Sequence, residues 1–102
     1  MSPQHVQHLG FIIHEGLRGR HILFDSEMIR ASLPRGERAS HIAGKEDRLA
    51  VKAALDILTE LPNLSEKRAF VASLPDEIRD LLIYFYFQFL DRCLQELSPT
   101  LH

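Results

Sequence analysis

The chain has 102 residues, 45% of them hydrophobic and 25% charged, with a net charge of −2 and an isoelectric point near 6.3. A chain of this length fits one domain, spanning 1–102, that buries roughly two-thirds of the surface its unfolded form exposes; the near-neutral balance excludes a global field pulling it toward nucleic acid or an anionic membrane. The lone Cys93 excludes an internal disulfide, and the longest apolar run, Leu81 to Phe87, is too short to span a bilayer. No basic and apolar leader opens the sequence, so a cytoplasmic protein with no membrane association is expected.

Taken in order, Ser2-Pro3 reads as an N-cap followed by a proline in the first helical position. Val6, Leu9, Ile13 and Leu17 follow at spacings of three and four, widened by Phe11 and Ile12, which predicts a first helix over residues 3 to 18 with Gly16 and Gly19 as candidate stops. A competing reading places a short β-hairpin at 11–24, from Phe11-Ile12-Ile13 and His21-Ile22-Leu23-Phe24 around Gly16 to Gly19. Periodicity and the Ser-Pro start favour the helix. Asp25-Ser26-Glu27 caps a short helix through Met28, Ile29 and Leu33 that Pro34 is expected to end, leaving Pro34 to Ser40 as an exposed loop.

From Lys45 the pattern is strongly helical. Leu49, Val51, Ala54, Leu55, Leu58 and Leu61 form an apolar stripe, Glu46 and Asp47 favour the N-terminus, and Pro62 stops the helix. Ser65 is expected to cap a short helix with Ala69, Phe70 and Leu74 inward. The last helix should run from Leu74 to Leu97, before Pro99. Its first apolar face comprises Ile78, Leu82, Phe85, Tyr86, Phe89, Cys93 and Leu97. A second stripe, Ile83, Phe87, Leu90 and Leu94, climbs beside it, so this helix must be covered on more than one side. The expected fold is all-α, a compact bundle of four to five helices around a long aromatic-rich C-terminal helix.

Motifs for chemistry are weak. His5 and His8 share a face at i,i+3, but His14 projects away from them and no His-Glu-x-x-His pattern exists, so surface histidines are the better reading and no metal is expected. Gly16-Leu17-Arg18-Gly19-Arg20-His21 lacks the ending of a phosphate-binding loop. With Pro34-Arg35-Gly36-Glu37-Arg38 it offers Arg18, Arg20, Arg35 and Arg38 as contacts to an anion or a nucleic-acid backbone. Residues 1–44 carry five arginines and four acids, for +1, against −3 over 45–102, an asymmetry that ordinary solvated surface explains. Cys93 has no neighbouring histidine to activate it, and Asp76, Glu77 and Asp80 suit the opening turns of a helix. His14, Glu15 and His21 are the only ingredients of an enzyme site, so no enzymatic activity and no cofactor are expected. A helix-turn-helix over 26–61 is disfavoured by the loop from Pro34 to Gly44 and by Glu46 and Asp47 opening the candidate recognition helix, where acids would meet phosphates.

The sequence therefore points to a non-enzymatic protein-interaction module, a small regulatory or adaptor protein homodimerising through Ile83, Tyr84, Phe87, Leu90 and Leu94 of the last helix. The competing arrangement has the first helix of the same chain cover that stripe. A nucleic-acid-associated regulator using the four arginines is the second reading.

Overall fold

Five helices build the protein: α1 Pro3–Leu17, α2 Ser26–Ser40, α3 Lys45–Glu60, α4 Leu64–Ser73 and α5 Asp76–Leu97. The computed structural model describes residues 3–97, and side chains from 10 to 96. The architecture is all-α, with no strand among the described residues. Residues 11–17 are helical and 18–25 form a turn, which removes the hairpin. No described helix is long and apolar enough to cross a membrane.

Helix ends follow local chemistry. Gly19 has φ of 85° and closes α1 in a Schellman turn: its N–H donates to Gly16 O at 3.0 Å and the Arg20 N–H to Glu15 O at 2.8 Å. Gly16 lies within the helix rather than stopping it, and Ser2 is outside the described residues. The Asp25 carboxylate caps α2 by accepting from the Met28 N–H at 2.7 Å. At α3 the Asp47 carboxylate accepts the Gly44 N–H at 3.2 Å. Asn63, not Ser65, caps α4, its side chain accepting from the Glu66 N–H at 2.8 Å.

The main departure from expectation is α2. Pro34 does not end it; the helix continues to Ser40 with Pro34 inside and exposed. An interior proline removes one hydrogen bond and costs about 3 kcal/mol in an isolated helix. Packing along α5 offsets that cost, because α2 and α5 form the most extensive helix pair in the molecule. Ser32 and Gly36, one turn apart on α2, are both buried. A Cβ on Gly36 would sit 2.8 Å from the Asp80 carbonyl carbon and 2.8 Å from Tyr84 Cβ, so glycine is what allows the two helices to come this close.

Around α5 the core closes. Asp80, Leu81, Leu82 and Ile83 are 6%, 2%, 3% and 0% exposed, and four consecutive residues cover every direction around a helix. The bundle therefore encloses α5 completely at this level. Ile12, Leu23, Phe24, Val51, Leu58 and Val71 supply the surrounding apolar surface. On α4 the inward residues are Lys67 and Val71, whereas Ala69 is exposed and Phe70 and Leu74 are half-buried. Each buried Leu, Ile or Val contributes roughly 1.5–3 kcal/mol relative to exposure.

Candidate functional site

The proposed interface stripe splits in the folded chain. Ile83 and Leu90 are buried, at 0% and 4% exposure, while Tyr84 and Phe87 are half-buried and Leu94 is 47% exposed. Intrachain neighbours account for the covered part: Gly36 of α2 lies against Tyr84, and Gly16 of α1 lies against Leu90, a Cβ there falling 3.1 Å and 3.3 Å from its methyl groups. Two helices of the same chain, not one, cover this side of α5. Among the described side chains, the large apolar groups that α5 still exposes are Phe89, at 50%, and Leu94.

The four arginines are divided in the same way. Arg35 makes a two-pronged contact with the buried Asp80 carboxylate, Nε to Oδ2 at 3.1 Å and an N–H donated to Oδ1 at 3.3 Å. Arg20 pairs with Glu15 at 3.5 Å across the Schellman turn. Arg18 and Arg38 are exposed. The two Arg-Gly segments thus serve as a helix cap and a helix seam. Because α2 runs to Ser40, only His41 to Gly44 separate it from α3, so loop length no longer argues against a helix-turn-helix. The acids Glu46 and Asp47 still open α3, and α2 and α3 barely touch.

Two polar groups, Lys67 and Arg79, escaped the sequence reading, and a third, His21, was named there without its partner. Lys67 is 2% exposed and its Nζ donates to the carbonyls of Leu58 and Leu61, the latter at 2.6 Å. It satisfies the carbonyls at the C-terminal end of α3 and sets a positive charge where the helix dipole is negative. Burial pushes its pKa down and Glu60 pushes it back up. The spacing Leu64, Lys67, Val71, Leu74 puts a lysine on an inward stripe, a signal present in the sequence. Arg79 repeats the device one helix later, donating to Ala72 O at 3.2 Å and pairing with Asp76 at 2.5 Å. The third group is His21, whose Nδ1 lies 3.0 Å from the Tyr86 hydroxyl, with its ring edge-on to Tyr86 and Phe87. Burial lowers the His21 pKa and raises that of Tyr86, which favours a hydrogen bond between a neutral imidazole and a neutral phenol, its direction set by the imidazole tautomer. No sequence spacing links residues 65 positions apart.

A half-open cavity of about 170 Å³ lies between α1 and the start of α4, lined by Phe11, Ile12, Ile22, Pro62, Asn63, Leu64 and Lys67. Its one charged group, Lys67, is held by two backbone carbonyls. His14 is exposed and Cys93 half-buried, and the side chains of His5 and His8 lie outside those described. Among the described residues no three His, Cys, Asp or Glu side chains are grouped to hold a metal ion. Among the described residues, large apolar groups are exposed at Phe11 on α1, Ile42 between α2 and α3, Leu49, Leu55 and Ile57 on α3, and Phe89 and Leu94 on α5. No family model matches the chain, and no curated protein or solved structure is significantly similar to it.

Proposed function

We propose that the protein acts non-enzymatically, as a protein-interaction module that works as a homodimer, in the manner of a small regulatory or adaptor protein. The observation that supports this reading is one face of α3, where Leu49 and Ile57, 54% and 46% exposed, stand two turns apart with exposed Ala53 between them; Leu55, 42% exposed, is on another side of the helix. Singly exposed apolar residues are ordinary, but two aligned along one helix face with a small residue between them offer a surface that a partner would cover. The distal half of α5 adds Phe89 and Leu94, which stand about 140° apart around their helix and so do not form one stripe. The half-buried His21 and Tyr86 and the buried Lys67 all have structural partners, which accords with a scaffold rather than a reaction centre. Absolute mass measured by light scattering over a hundredfold range of concentration tests the reading. A mass rising to twice 11.7 kDa is expected, and a constant monomer would refute self-association.

A further inference from the structure

We infer that the half-open cavity between α1 and the start of α4 is a binding site for a small molecule, a single uncharged aromatic ring. The inference stands apart from the interaction reading, since a monomer and a dimer would carry the same cavity.

Three separate stretches of chain supply its apolar walls: Phe11 and Ile12 of α1, Ile22 of the turn that follows, and Pro62 with Leu64 where α4 begins. Ile12, 3% exposed, belongs to the core, whereas Phe11, 57% exposed, reaches the surface. The space is about 170 Å³. An apolar cavity of about 150 Å³ takes up one benzene molecule, so the size fits one ring and is too small for a helix or strand of another protein.

Water fills such a space poorly, because an ordered water needs several polar partners. The polar side chains of the lining are committed elsewhere. Asn63 accepts the Glu66 N–H through Oδ1, and Lys67 donates to the carbonyls of Leu58 and Leu61. An apolar group that displaces poorly held water gains affinity. The same lining selects against charge. Lys67 is faced by the countercharge of Glu60, so an anion entering here meets a carboxylate as well as an ammonium. A cation finds no acid among the described lining residues, and either ion would lose hydration without a full replacement. Phe11 turns the preference from an alkyl group to a ring, since aromatic pairs in edge-to-face or offset contact gain more than their buried area alone supplies.

Benzyl alcohol, titrated to about 10 mM into isotope-labelled protein and followed by amide chemical shifts, is the test. Saturable shifts are expected at Ile12, Ile22 and Leu64. Benzoate, the same ring carrying a carboxylate, should bind about tenfold more weakly or worse. Phe11→Ala, at an exposed position where the fold loses little, should weaken benzyl alcohol by about threefold or more. Leu64→Trp puts the protein's own ring into the cavity and should give a folded chain, checked by circular dichroism, that no longer responds; if it does not fold, Phe11→Ala decides the location alone. Shifts that are absent, or that fall away from these residues, overturn the site. Benzoate binding as tightly as the alcohol overturns the uncharged class, and a folded variant that responds like the wild type places the ring elsewhere.

Discussion

Replacing Gly36 by alanine should destabilise the protein even though alanine is the better helix former. The new Cβ would lie 2.8 Å from the Asp80 carbonyl carbon and from Tyr84 Cβ, and nearer still to the Asp80 oxygen. Carbon atoms pack best at about 3.5–4.0 Å, so α2 must retreat from α5 by roughly 1 Å along its whole seam. Two of the three clashing atoms are backbone and cannot rotate away, which places the cost near the upper end of the ~1–3 kcal/mol typical of overpacking. Helix propensity returns about 1 kcal/mol. The net loss is therefore ~2 kcal/mol, a drop of about 1 M in urea midpoint for a protein this small. Gly10→Ala is the matched control, since nothing lies within 4 Å of a Cβ there, and it should stabilise by up to ~1 kcal/mol. Urea titrations followed by circular dichroism give both numbers. A Gly36→Ala variant as stable as the wild type would refute the close α2–α5 approach.

Four further outcomes follow from the polar groups and the turn. Arg35→Met strands the Asp80 carboxylate, 6% exposed, and should cost about 2 kcal/mol, part of which Asp80→Asn restores in the double variant; strictly additive losses in a double-mutant cycle would show that the pair is not coupled. Lys67→Met leaves the Leu58 and Leu61 carbonyls without their donor and should lower stability by ~1–3 kcal/mol in thermal unfolding, whereas a gain would mean that desolvating the ammonium outweighs its two bonds. Burial lowers the His21 pKa below 6.5, so between that lowered value and 6.5 the unfolded chain binds more protons; stability is full above 6.5 and declines as pH falls through the window. His21→Gln should flatten this slope in urea titrations at neutral and acidic pH, and an unchanged slope would assign it to other groups. Gly19→Ala, forced to hold a φ of 85°, should cost about 1 kcal/mol by the same titration, and no loss would mean that the turn relaxes.

Helices α3 and α5 were legible because their apolar spacing is long; Pro62 follows α3 as expected, while α5 opens at Asp76, after Pro75, two residues later than the expected start at Leu74. The second half of α2 was not, because the rule that proline ends a helix is local and the packing that overrides it involves residues 44 to 48 positions further on. The α4 cap was written as Asn63 with Glu66 three residues later, a capping pattern that competes with the nearer Ser65. Sequence showed that Ile83 and Leu90 needed covering, since they share a helix with another apolar face. It could not show that α1 and α2 do so, because a stripe names no partner. The two Arg-Gly segments looked alike in the sequence and differ in the fold: one is a turn with a glycine of positive φ, the other a crossing where glycine makes room.

The enclosure of α5 has a consequence for how the chain is made. Translation delivers α1 to α4 first, and the helix around which they close comes after them. Until it emerges, Ile12, Leu23, Phe24, Val51, Leu58 and Val71 have no centre to pack on, and the nascent chain stays open with these groups available to a holding chaperone. Closure then waits for contacts that join distant parts of the sequence, α2 to α5 above all. A chain cut short before α5, ahead of Asp76, would lack the surface on which those six residues pack and would not be a smaller version of the same fold.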